Sequence, residues 1–138
     1  MKAYVDSDVL LDVLLGRDAF LAESSQLLNL CEIHEVEGCT TTLAIANIYY
    51  ILRHYDAKNA RLAIQSLREI LQVLPISDSE IGQSLNSKFK DFEDGVQNYV
   101  AENHACACII TRNKKDYTHS QLKVFTPKEY LLTVAASK

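Results

Sequence analysis

Proline and glycine are scarce in this chain, two and four residues in 138, so long irregular loops are not expected. No apolar run approaches the ~20 residues needed to span a bilayer, and no membrane segment is expected. The opening MKAYVDSDVLLDVLLGR is interrupted by Asp6, Asp8 and Asp12 and is followed by no small-residue cleavage site, so it is not read as a signal peptide. A cytoplasmic protein is therefore expected. CxxC pairs are absent as well. Cys31, Cys39, Cys106 and Cys108 read as reduced, buried thiols of a reducing compartment. His104, Cys106 and Cys108 alternate and would share one face of a strand, but a fourth metal ligand is missing. There is no basic excess either: the formal net charge is −4. That argues against a simple cationic nucleic-acid-binding module. It leaves room for an enzyme whose bound metal ions supply positive charge at a phosphate.

What is present is enough apolar residue for one core, 48% of the chain, with an ordinary 23% of charged residues. No composition shift, internal repeat or low-complexity stretch divides it, so residues 1–138 read as a single domain. KAYVD, residues 2 to 6, reads as a buried strand ending in an acid. Ser7 to Leu15 has helical apolar spacing, with Ser7 as cap and Gly16 as stop. A second helix is predicted over 18–33, and CTTT at 39–42 as a short strand. Helices follow over Leu43–His54 and Ala57–Gln72, the latter capped by Asp56. Val73–Ile76 is extended, Asp78 opens a helix over Ser79–Lys88, and Asp91–Asn103 is helical despite Gly95. ACACIIT at 105–111 reads as a buried strand and Asn113–Ser120 as a loop. Leu122–Phe125 is the last strand, and Pro127 opens a helix over Lys128–Ala135. Strands separated by helices predict an α/β fold: a three-layer α/β/α sandwich with a short, mostly parallel central sheet, rich in helix.

In such a sheet, sites form beyond the carboxyl ends of the strands. Three polar sets fall there: Asp6 and Asp8 after the first strand, Asn113 and Asp116 after the strand at 105–111, and Asp91 and Asp94 on the helix leading into that strand. Asn98 lies one turn further along the same helical face. Gathered carboxylates repel one another, and loss of water makes this worse. Hard cations such as Mg²⁺ or Mn²⁺ relieve the repulsion, and can activate water and orient a phosphodiester. Each acid also has a plain role open to it. Asp8 and Asp94 suit the helix dipole, Asp91 an N-cap and Asp116 a turn. Lys114 and Lys115 are solvated loop charges or phosphate contacts, and Ser7 and Thr111 are further candidates for touching substrate.

The segments YVDSDVLLDVLLGR, TTLAIANIYYILR, DFEDGVQ and IITRNKKDY, in that order, resemble the four motifs of the PIN domain family. The resemblance covers nearly the whole chain. It implies a metal-dependent endoribonuclease using Mg²⁺ or Mn²⁺, which cuts single-stranded RNA. Many small bacterial members are VapC-like toxins held by a cognate antitoxin protein, often as homodimers. Carried over by position, Asp6 matches the first acid and Asp94 the acid of the third motif. In the fourth motif Thr111 is followed by Arg112 and Asn113, so either Asn113 or Asp116 approaches the metal. The second motif usually presents a Glu, and Asn47 stands at that position. An amide oxygen coordinates a cation without adding charge, which predicts weaker metal binding. Asp6, Asp94 and Asp116 are thus the expected catalytic carboxylates, with Asn47, Asn113 and Asp91 as further metal contacts. A PIN-like module that binds RNA or a protein partner without cutting is the alternative. A response-regulator receiver would also cluster acids at strand ends. It needs an isolated phosphoacceptor Asp on a central strand, which residues 39–42 and 73–76 do not supply.

Overall fold

The computed structural model describes residues 1–137. Five short strands form one sheet: β1 (Lys2–Val5), β2 (Glu37–Thr41), β3 (Gln72–Leu74), β4 (Cys108–Ile110) and β5 (Lys123–Phe125). The order is β3-β2-β1-β4-β5 and every pairing is parallel. Six helices connect them: α1 (Ser7–Leu14), α2 (Leu21–Glu32), α3 (Thr42–Ile70), α4 (Asp78–Leu85), α5 (Phe92–Asn103) and α6 (Pro127–Ala136). A single 3₁₀ turn, Lys114–Tyr117, precedes β5.

The sheet is covered on both faces, which is why its strands read as nearly continuous apolar runs. Ala3, Val5, Cys108 and Ile110 point to one side, where they join Val9 and Leu10 of α1, Leu27 and Leu28 of α2, Ile48 and Leu67 of α3, and Tyr130 of α6. Tyr4, Cys39 and Ile109 point to the other, against Val96, Val100 and Ala101 of α5. The expected three-layer α/β/α architecture is the one observed. Among the described residues no helix is long and apolar enough to cross a membrane.

Several predicted boundaries move for physical reasons. The cap of α1 is Asp6 rather than Ser7, because Asp6 has extended backbone and its carboxylate accepts from the Ser7 N–H. The two helices predicted on either side of Asp56 run as one, α3, kinked where Asp56 leaves helical geometry (φ −156°, ψ 82°). Asp56 still caps the second half, accepting from the Asn59 N–H at 3.3 Å. The helix α4 opens on a reciprocal Ser77–Glu80 capping box, with Asp78 as its first residue. The strand predicted over 105–111 shrinks to β4 because Ala105, at φ 61°, ends α5 in the left-handed region. His104 therefore caps a helix, and Cys106 and Cys108 pack into opposite cores. The three do not share a face, and all four cysteines are free and buried.

Strand order decides where a site can sit. From β1 the chain goes out to β2 and β3 on one side, then returns to β4 on the other. The crevice at this reversal lies beyond the carboxyl ends of β1 and β4.

Candidate active site

The register of β1 against β4 pairs Val5 with Ile110, so the next residues, Asp6 and Thr111, emerge side by side. The Asp6 N–H continues the ladder to the Ile110 carbonyl at 2.9 Å. The fully buried Thr111 hydroxyl donates to Asp6 Oδ2 at 2.8 Å, and the Ser7 N–H donates to Asp6 Oδ1 at 2.8 Å. Asp8, in the first turn of α1, faces the same strand end. Its Oδ2 accepts from the Asn113 amide at 2.9 Å and lies 3.3 Å from the Thr111 hydroxyl. Thr111 and Asn113 thus tie Asp6 and Asp8 into one carboxylate pair.

Asp94 joins them from the first turn of α5, positioned by its N-cap. Asp91 Oδ1 accepts from the Asp94 N–H at 3.0 Å, so the cap reading of Asp91 holds. Burial, then the neighbouring charges of Asp91, Asp116, Asp8 and Glu93, push the Asp94 carboxyl up to about 7. Asp6 is likewise raised to about 7, first by burial, then by Asp8 with Asp94 adding. Asp8 is raised by burial, against the opposing pull of the Arg112 N–H and guanidinium. Mutual influence of this kind places the three carboxylates in one field.

Beneath them lies a buried polar floor. The Tyr4 hydroxyl donates to the Gln97 amide oxygen at 2.7 Å, and the Thr41 hydroxyl donates to the same oxygen. The Tyr117 hydroxyl is buried without a protein hydrogen-bond partner, close enough to feel Asp6, Asp94 and Asp8. Oxygen-only donors, repelling carboxylates and an orphaned hydroxyl fit a hydrated Mg²⁺ or Mn²⁺. Among the described residues no three His, Cys, Asp or Glu side chains close on one point as a finished cage would.

The remaining candidates are placed less centrally. Asp116, exposed in the 3₁₀ turn, lines a cavity with Asp91, Asp94 and Lys115. Asn47 turns its amide to Glu93, 3.4 Å away, rather than to Asp6 or Asp94. Ser7 contributes its backbone N–H. Lys114 is engaged elsewhere, paired with Glu129 at 3.1 Å. Asn98 is buried and donates to Glu102, away from the acids.

Two residues of the arrangement lie outside the catalytic set expected from sequence. Asp8 is grouped there with Asp6 at the strand end but also suits the helix dipole, and the proximity of β4 gives it its second role. Asp12, fully buried inside the run LLDVLL, holds Arg112 at 2.8 Å and Arg17 at 3.3 Å. Arg112 also lies over the Phe20 ring, 4.1 Å from its centroid. This pins the residue between Thr111 and Asn113. A charge interrupting an apolar helical stripe was the available signal.

Comparison with known proteins adds sequence breadth to this geometry. The chain is 26% identical over 134 residues to Ribonuclease VapC1 of Aquifex aeolicus, spanning 94% of this chain and 92% of that one. Two solved structures share the fold. VapBC2 from Rickettsia felis, bound to a DNA fragment from its promoter, superposes with a TM-score of 0.69 at 12% identity, over 90% of this chain and 97% of that one. A toxin–antitoxin complex from Klebsiella pneumoniae gives 0.68 at 23% identity, over 91% and 97%. A family model described as PIN domain matches residues 2–115, a span that contains Asp6, Asp8, Asp94, Thr111 and Asn113. The chain therefore belongs to the PIN domain family.

Proposed function

We propose that this protein is a metal-dependent endoribonuclease that cuts single-stranded RNA in the cytoplasm, as the toxin of a type II toxin–antitoxin pair. The observation carrying this reading is the pairing of Asp6 and Asp8 through Thr111 and Asn113 at the switch point, with Asp94 near enough to act on both. Likeness to a protein named as a ribonuclease and to a toxin–antitoxin complex supports it. The reading includes a protein antitoxin as partner and self-association as a homodimer.

Asp6 and Asp94 would hold Mg²⁺ or Mn²⁺, with Asp8 beside them and Asp116, Asn113 and Asn47 reaching the ion through water. The bound ion supplies an activated water and offsets charge on the phosphodiester. The chain's own residues do the positioning. Thr111 and the Ser7 N–H fix the two oxygens of Asp6, and the Asn113 amide fixes Asp8. Lys115, beside Asp94 and Asp116, brings a cation to the approaching backbone.

The test is cleavage of a single-stranded RNA with Mn²⁺ by the wild type and by Asp94→Asn. The variant is expected to lose roughly 100-fold or more, the loss typical of a damaged metal site. Equal cleavage by both removes Asp94 from its role. A second reading, a PIN module that binds without cutting, is favoured by one observation: both Asn47 and Asn113 spend their amides on neighbouring carboxylates and bring no charge. Calorimetry with millimolar Mg²⁺ or Mn²⁺ separates the two, since absence of heat selects the binding module.

A further inference from the structure

Asp94 opens onto a cavity of about 530 Å³, inside the roughly 300–1,000 Å³ range of small-molecule sites. Its lining divides by chemistry. Asp94 and Asp116 make it acidic where the carboxylates gather. Phe89 and His119 add two rings, with centroids 6.2 Å apart and planes at 74°. Phe89 is half-buried and His119 exposed, so His119 keeps ring surface open toward the cavity. Phe89 is steadied by Tyr99 and the buried Tyr117, at 5.9 and 6.3 Å between centroids. Lys90 and Lys115, both exposed, also line it, with Asp91 and Thr118.

Carboxylates for a cation and two ammonium groups suit phosphates, and the aromatic rings suit a base. From this we infer that the cavity seats one unstacked base of single-stranded RNA, stacked on Phe89 or His119, beside the phosphate held at the acids. Lys90 and Lys115 meet the flanking phosphates. This rests on the nuclease reading for the position of the scissile phosphate, and it gives that reading a source of strand preference. A base inside a duplex is already stacked and cannot enter, whereas a single strand offers its bases freely.

The experiment measures binding of a short single-stranded RNA carrying 2-aminopurine, with Ca²⁺ present, by fluorescence quenching. Wild-type protein is expected to quench the probe. His119→Ala, at an exposed position, and Phe89→Leu should each bind about tenfold more weakly, as expected for loss of a stacking partner. Quenching should be lost in the double variant. Circular dichroism checks that each variant is folded, and His119→Ala keeps the test open should Phe89→Leu not fold. Replacing both Lys90 and Lys115 by Gln should lower the slope of log affinity against log salt by about 1.4, the value for two phosphate contacts on a single strand. Unchanged affinity and quenching in a folded His119→Ala and in the double variant overturn the inference. Outcomes for the two readings stay separate. Quenching that depends on these rings without any Mn²⁺-driven cleavage keeps the base seat and removes the nuclease. Cleavage with ring-independent binding does the reverse.

Discussion

Asp12 carries a charge into a helix whose inward neighbours are Val9, Leu10 and Leu11, and two arginines answer it. The Arg112 Nε lies 2.8 Å from Asp12 Oδ2, yet its N–H is not aimed along a hydrogen bond, so attraction between charges rather than a linear bond holds the pair. Removing one member of a fully buried pair costs about 3–5 kcal/mol because the other is left unpaired. Here both arginines keep some contact with water, so Asp12→Ala should cost less, about 2–3 kcal/mol, read from urea unfolding. Because Arg112 is joined on both sides to Thr111 and Asn113, the same variant should also weaken Mn²⁺ binding without touching an acid of the site. Unchanged stability would show that the pair contributes nothing net. Residues of this kind are the hardest to read in advance. Asp6 stood out because it ends a buried strand. Asp8 and Asp12 follow at helical positions where an acid has a local explanation, and their real partners are about 100 residues away in sequence (|i−j| = 105 for Asp8 and Asn113).

Helices declare themselves by period and caps, and most were legible here. Their ends were less so, because α2 and α5 close in the left-handed region without glycine. His34 and Ala105 both take positive φ, 63° and 61°, after α2 and α5. Each is closed by a bond reaching back five residues, Glu35 N–H to Leu30 and Cys106 N–H to Ala101. With no Gly at 105, ACACIIT looked like a strand from its first residue. Conversely, Gly95 sits inside α5, where glycine ordinarily costs stability. An added Cβ there would collide with the Ser84 hydroxyl and come within 3.1 Å of Ser84 Cβ and 3.2 Å of Phe89 Cβ. The absent side chain lets α4 and α5 approach. Two opposite swaps follow. Ala105→Gly should stabilise by about 1 kcal/mol, relieving left-handed strain less the entropy glycine adds. Gly95→Ala should destabilise by about 1–3 kcal/mol despite its better helix propensity, as overpacking does. Thermal unfolding of both variants checks the signs.

For the molecule as a whole, the acids that gather at one crevice make stability depend on pH and cation together. Folding raises Asp6 and Asp94 from 3.8 to about 7, so between about pH 4 and 7 the metal-free folded state holds protons that the unfolded chain has released. Their contribution therefore falls as pH rises through that window and is flat above it. Glu80 and Glu129 are lowered by their capping hydrogen bonds, so they lose their contribution only in more acidic solution, below the usual glutamate range. In EDTA the wild type should lose stability between pH 5 and 7.5 by more than Asp94→Asn does. Mg²⁺ should raise the wild-type Tm more at pH 7.5 than at pH 5, because protons and the cation compete for the same oxygens. A thermal shift equal at both pH values would dissociate these carboxylates from any ion. The sheet that assembles them was legible from alternating strands and helices, but its order was not, since nothing local in the sequence says that β4 inserts beside β1 rather than at an edge. That insertion has a consequence for synthesis. The hydroxyl that fixes Asp6 arrives 105 positions later. A nascent chain leaving the ribosome keeps its acids apart until nearly all of it has emerged, so a truncated product lacks the assembled centre.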